Sequence, residues 1–228
     1  MAFNPADFTV AEPKSIPVLL LLDTSYSMGG QPIDMLNKAV EAMIQEFKKA
    51  ETMETFIKLS IITFGKNGVE LHTPLEEVSK TKFEPLVVGG STPMGTALKM
   101  AKAMIEDKTI FQGRDYRPAI VLLSDGAPTD DWEQPLNDFI SDGRSSKCDR
   151  MAVAIGSADE RVLKEFISGC ENPLFHAEDA TKIVEAFQKI TMSVTMRTKS
   201  VNKNQTINID NELDDGEIDL DDLDSFLI

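Results

Sequence analysis

Four short apolar runs, separated by segments of a different hydrophobic period, limit this chain to a small set of folds. Residues 17–22 (Pro-Val-Leu-Leu-Leu-Leu), 56–64, 119–123 and 151–155 are rich in Val, Ile and Leu and too short for core helices. Runs of this kind read as strands covered on both faces. Between them the apolar residues recur every three to four positions. Met35/Leu36, Ala39/Val40, Met43/Ile44 and Phe47 form one such stripe. Leu98, Ala101 and Met104/Ile105 form another within residues 93–108, and Ile183, Phe187, Ile190 and Val194 a third. A shorter helix is expected around residues 160–167, a short strand over 69–73 and a weak one over 174–176. Such alternation predicts an α/β fold, a doubly wound and mostly parallel sheet with helices on both faces.

The helical periodicity stops near Thr198. The chain therefore divides into an N-terminal extension (residues 1–15), one domain (16–198) and a linker with an acidic C-terminal segment (199–228). The net charge of −15 is uneven: residues 210–228 hold nine of the 38 acids and no Lys or Arg, leaving 29 acidic against 23 basic residues elsewhere. An acidic chain argues against nucleic acid or an anionic membrane as the main partner. Residues 1–17 carry neither the basic nor the apolar region of a signal peptide, and the run 18–22 is far too short to span a bilayer. A cytoplasmic protein is expected, with Cys148 and Cys170 reduced. Two histidines, His72 and His176, are too few for a multi-histidine zinc site.

In an open parallel sheet, ligands gather at the carboxyl ends of the strands. Three polar clusters fall at such places: Asp23-Thr-Ser25-Tyr-Ser27 after the first strand, Gly89-Gly-Ser-Thr92-Pro-Met-Gly-Thr-Ala-Leu opening a helix, and Ser124-Asp125-Gly126 after the strand 119–123. In an extended loop, residues 23, 25 and 27 point the same way and present three oxygens to one point. Hydroxyls and carboxylates without a soft donor suit Mg²⁺ or Mn²⁺ and disfavour zinc or copper. With Asp23 and Asp125 acting partly through water, such an ion keeps an open position that a carboxylate from another molecule fills. Other readings of these clusters fit less well. A haloacid-dehalogenase-type phosphatase needs a second Asp where Ser25 stands. No Lys follows Gly95 to complete a P-loop, and no GxGxxG or nucleophile elbow is present.

In order and spacing, DTSYS, GGSTPMGTAL and LLSDG resemble the metal ion-dependent adhesion site (MIDAS) of von Willebrand factor type A domains, over roughly residues 16–198. The resemblance implies a Rossmann-like sheet of about six strands, with Asp23, Ser25, Ser27, Thr92 and Asp125 as direct or water-mediated metal ligands. Residues 116–132 resemble the bacterial TerY-like branch, which is associated with tellurium resistance and stress responses and whose members are often encoded beside a protein kinase and a metal-dependent Ser/Thr phosphatase. Tyr26 stands where many relatives carry Gly and is expected on the rim, pointing away from the metal. Asp130 and Asp131 are expected to cap a helix beginning at Trp132, or else to form an acidic rim for a partner.

The expected function is thus a metal-dependent, non-enzymatic protein-binding module that captures an Asp or Glu of a partner. The alternatives are a metal-assisted phosphohydrolase, for which no general base or nucleophile is evident, and an adaptor for an AAA-type ATPase. Residues 210–228 also carry Ile218, Leu220, Leu223, Phe226, Leu227 and Ile228. Two expectations follow for this segment: a solvating acidic tail, or an element that docks on its own domain or a neighbouring chain with one acid near the ion.

Overall fold

The computed structural model describes residues 13–207. The expectations for the N-terminal extension before Pro13 and for the acidic segment after Ile207 lie outside the described residues.

The four apolar runs are the strands β1 (Lys14–Thr24), β2 (Thr55–Gly65), β4 (Ala119–Ser124) and β5 (Asp149–Ile155); β3 (Gly68–Glu77) and β6 (Leu174–Ala177) occupy the sheet edges. The strand order is β3-β2-β1-β4-β5-β6, and every pairing is parallel except β2 with β3. In β1 every residue after Lys14 is buried, as the unbroken Leu run required. Its side chains alternate between two cores. Ile16, Val18, Leu20 and Leu22 pack with α1 (Gln31–Ala50) and α5 (Ala180–Lys199). Leu19 and Leu21 pack with α2 (Met94–Glu106), α3 (Glu133–Ser141) and α4 (Glu160–Phe166). Cutting one of these buried leucines to Ala is worth about 2–5 kcal/mol.

The helices carry local signals as well. Gln31-Pro32 opens α1, Asp34 sits in its first turn, and Lys48 and Lys49 sit in its last, each sign matching the helix dipole. Asp179 caps α5 by accepting from the backbone N–H of Thr181 and Lys182. No helix among the described residues is long and apolar enough to cross a membrane.

Because β2 and β4 flank β1 on opposite sides, the chain winds one way from β1 and later the other way. The carboxyl ends of β1 and β4 are therefore the topological switch point of the sheet. At the opposite, amino-terminal pole the structure departs from the sequence reading. Residues 200–207, expected to begin a linker, fold back under the sheet. Ser193 Oγ donates to Ile207 O (2.7 Å), the Arg117 N–H to Asn204 Oδ1 (2.7 Å), and Thr206 Oγ1 to Asp149 Oδ1 (3.0 Å). The described fold thus continues past Thr198 through Ile207, which is itself buried. Long-range polar bonds hold this return, and hydrophobic periodicity does not register them. Both cysteines are free; burial pushes the Cys148 thiol up to about 12, so at neutral pH it is an unreactive, protonated group.

Candidate metal centre

The first loop is organised by Asp23, the penultimate residue of β1 and fully buried. Its Oδ1 accepts the Ser25 N–H (2.9 Å), which turns the chain sharply as Asp side chains do in turns. The loop then curls into one turn of 3₁₀ helix, Tyr26–Met28, rather than staying extended as the alternation argument assumed. The outcome for the oxygens is nevertheless convergence: Ser25 Oγ and Ser27 Oγ lie 3.0 Å apart.

The second loop approaches because its glycines let it. Gly90 has φ +73°, and a Cβ there would sit 2.1 Å from the Gly65 carbonyl oxygen. The Gly89 N–H donates to Thr24 O (2.8 Å) and the Tyr26 N–H to Gly90 O (3.2 Å), which ties this loop to the first. Thr92 is clamped from the third loop. Its N–H donates to Thr129 Oγ1 (3.0 Å), and its carbonyl accepts the Thr129 N–H (2.9 Å). Thr92 is buried, with its Oγ1 beside Gly126.

The third loop closes the group. Ser27 Oγ donates to Asp125 Oδ1 (2.8 Å), so Ser25, Ser27 and Asp125 form one continuous chain of oxygens. Ser124, the last residue of β4, donates from Oγ to Asp23 Oδ2 (2.6 Å). All five candidate ligands thus come from three loops that meet where β1 and β4 end. Ser124 and Thr129 position Asp23 and Thr92, and sequence reasoning gave neither a role. Their only signal was adjacency to the motif.

Electrostatically the site calls for a cation. Burial raises the Asp23 carboxyl above its ordinary value; hydrogen bonds from Ser124 and Ser25 offset part of this, and the neighbouring charge of Asp125 adds to it. Neither Asp23 nor Asp125 has a Lys or Arg ion-pair partner among the described residues. Also among the described residues, no three His, Cys, Asp or Glu side chains form a metal cluster of their own. The donor set is instead three hydroxyls and two carboxylates, a hard-oxygen set that fits a small divalent ion.

The rim divides the remaining expectations. Tyr26 is 77% exposed beside Ser25 and Ser27. Asp131 is exposed too, and Asp130 is partly so. One expectation for Asp130 is corrected: it does not cap the helix after Trp132, where no side chain caps α3. Its Oδ1 accepts the Gly95 N–H (2.9 Å) and its Oδ2 the Thr96 N–H and hydroxyl (both 2.8 Å). Asp130 therefore caps α2 from across the fold. Gly95 permits this, because a Cβ there would meet the Asp131 carbonyl oxygen at 2.2 Å.

The profile of the von Willebrand factor type A domain family matches residues 18–189. No curated protein sequence matches the chain. Among solved structures the chain is similar to proximal thread matrix protein 1 from the mussel byssus, with a zinc-occupied MIDAS motif (14% identity, TM-score 0.58, covering 82% of this chain and 46% of that one). It is similar to the ArnB paralog VWA2 from Sulfolobus acidocaldarius (20%, 0.58, 80% and 46%). It is also similar to the pilus adhesin SpaC from Lactobacillus rhamnosus GG in its open conformation (14%, 0.64, 80% and 30%). This chain spans less than half the length of each, and at these identities the likeness concerns the fold.

Proposed function

The chain belongs to the von Willebrand factor type A domain family, and from that premise we propose that it is a metal-ion-dependent, non-catalytic protein-binding module. One observation carries the reading: Asp23, Ser25, Ser27 and Asp125 are linked where β1 and β4 end, with Thr92 Oγ1 beside Gly126, and neither carboxylate has a Lys or Arg partner among the described residues. A divalent ion bound there, Mg²⁺ or Mn²⁺, supplies an electrophilic position that an Asp or Glu of a partner fills. Ser25 and Ser27 orient toward that position through Asp125, while Ser124 and Thr129 hold Asp23 and Thr92 in place. Tyr26 and Asp131 form the surface that a partner meets around the ion. The zinc in the mussel protein's MIDAS motif supports a divalent-ion role for the site and makes zinc a necessary arm of any metal titration.

The arrangement gives little support to hydrolysis. The Ser25 and Ser27 hydroxyls bond each other and Asp125, and neither histidine is at hand as a base: His72 bonds Thr73, and His176 lies 3.5 Å from Glu160. The resemblance of residues 116–132 to the TerY-like branch supports a finer reading, a cytoplasmic regulatory or scaffold component of a stress response acting with a kinase and a phosphatase. Affinity capture with and without Mg²⁺, comparing wild type with Asp23→Ala, tests the module. Partners retained only by wild type and only with the ion are expected, and each should lose binding when one of its own acids is neutralised. Identical capture under all four conditions contradicts the proposal.

A further inference from the structure

A cavity lies away from the metal centre, at the amino-terminal pole of the sheet. It measures about 320 Å³, with Pro17, Ile105, Phe111 and Pro118 supplying apolar wall and Arg117, Arg144 and Lys147 supplying charge. The three cations have no carboxylate within ion-pair distance among the described residues. Neutral acceptors hold the guanidinium groups instead. Arg117 donates to the carbonyls of Lys147 (3.0 Å) and Cys148 (3.3 Å) and to Thr206 Oγ1 (3.2 Å), and Arg144 donates to the Ile105 carbonyl. The Lys147 ammonium has no partner among the described residues. One acid lines the cavity, Asp115, but it is already matched by Lys58 (3.3 Å) and the Ser15 N–H (3.1 Å).

Carbonyl partners fix the direction of a guanidinium without cancelling its charge, so Arg117 and Arg144 form a fixed positive wall, with the exposed Lys147 ammonium at its edge. Two planar forks and one compact ammonium match the several oxygens of a phosphoryl group better than a single carboxylate. The volume sits at the small end of ligand cavities, which favours a small molecule over a polymer. We infer that this cavity binds a small organic phosphate monoester, its phosphoryl group among Arg117, Arg144 and Lys147 and its apolar body against Phe111 and the two prolines. The site is independent of the metal centre.

Calorimetric titration of the full chain with phenyl phosphate, inorganic phosphate and benzoate tests this. Phenyl phosphate is expected to bind saturably at one site and more tightly than the other two probes. Arg144→Gln/Lys147→Gln should weaken it by about tenfold or more, since each lost charged hydrogen bond is worth about that factor. Lys147→Gln alone disturbs no hydrogen bond of the fold and should still weaken it measurably, whereas Asp23→Ala should bind as wild type does. Equal affinity in wild type and both cavity variants overturns the inference, and so does benzoate binding as tightly as phenyl phosphate. Binding that emerges only in a chain ending at Ile207 also overturns it, because the acidic residues 210–228 would then be the occupant.

Discussion

Where β1 and β4 end, both oxygens of Asp23 and the hydroxyls of Ser25, Ser27 and Ser124 are hydrogen-bonded within one network. Where the same sheet begins, four buried side-chain atoms have no hydrogen-bond partner among the described residues: Ser15 Oγ, Thr55 Oγ1, Asp149 Oδ2 and Arg197 Nη1. Arg197 and Asp149 face each other there at 3.8 Å, an ion pair too long for a hydrogen bond. Group chemistry explains the difference. A hydroxyl both donates and accepts, so hydroxyls around two carboxylates can satisfy one another and later turn toward a cation. Guanidinium only donates and carboxylate only accepts, so a small misalignment leaves both short. The first pole is suited to exchanging partners. The second holds residues 200–207 in place.

The largest expected effect breaks the second pole and spares the first. Arg197 is fully buried and donates to Lys203 O and Arg117 O as well as facing Asp149. Arg197→Met leaves Asp149 buried and unpaired, at a cost of about 3–5 kcal/mol. Denaturant unfolding should show that loss, while the folded variant keeps its response to divalent ions. A variant as stable as wild type contradicts the role given to this pair.

A smaller effect should connect α2 to the metal pole. Asp130→Ala removes the cap from the start of α2 and is expected to cost about 1–2 kcal/mol. It should also weaken ion binding, because α2 follows directly on the Thr92 loop. Asp131→Ala, at an exposed neighbour, should do neither. If the two variants behave alike in thermal melts and ion titrations, capping is not what distinguishes them.

The smallest effect is on stability itself. Burial holds the Asp23 carboxyl above its ordinary 3.8. In the metal-free protein the folded state therefore prefers the proton. The stability this contributes is fully present below pH 3.8 and is lost as pH rises through the raised folded value. At neutral pH Asp23→Asn should leave the chelator-treated protein at least as stable as wild type, yet abolish its stabilisation by divalent ions. Proton and cation compete for the same carboxylate, so wild-type ion affinity should fall on acidification. A clear drop in the melting temperature of metal-free Asp23→Asn would mean the carboxylate is structural.

Much of this was legible in the sequence because it is local. The strands showed as apolar runs, α1 and α5 as three-to-four stripes, and the candidate metal residues as three motifs at strand ends. What escaped is long-range and polar. Asp130 caps a helix whose first residues lie more than thirty positions earlier, and no spacing rule links them. The return through residues 200–207 is held by Asn204, Thr206 and the carbonyls of Lys203 and Ile207, which read as a polar linker. The antiparallel direction of β3 and its register shift opposite Leu59–Ile62 likewise have no signature in the short run 69–73. The 3₁₀ turn at Tyr26–Met28 replaced an extended loop without separating Ser25 from Ser27, which is why the closeness of these hydroxyls could be read while the backbone was not.

The most direct test of the metal centre is calorimetric titration of Mg²⁺, Mn²⁺ and Zn²⁺ into chelator-treated protein, wild type beside Asp23→Ala/Asp125→Ala. Binding only to the folded state should raise the melting temperature in step with the measured affinity. Saturable single-site heat in wild type, with a matching thermal shift and neither in the double variant, is the expected result. No heat in wild type, or the same heat in both proteins, contradicts a metal centre at Asp23, Ser25, Ser27, Thr92 and Asp125.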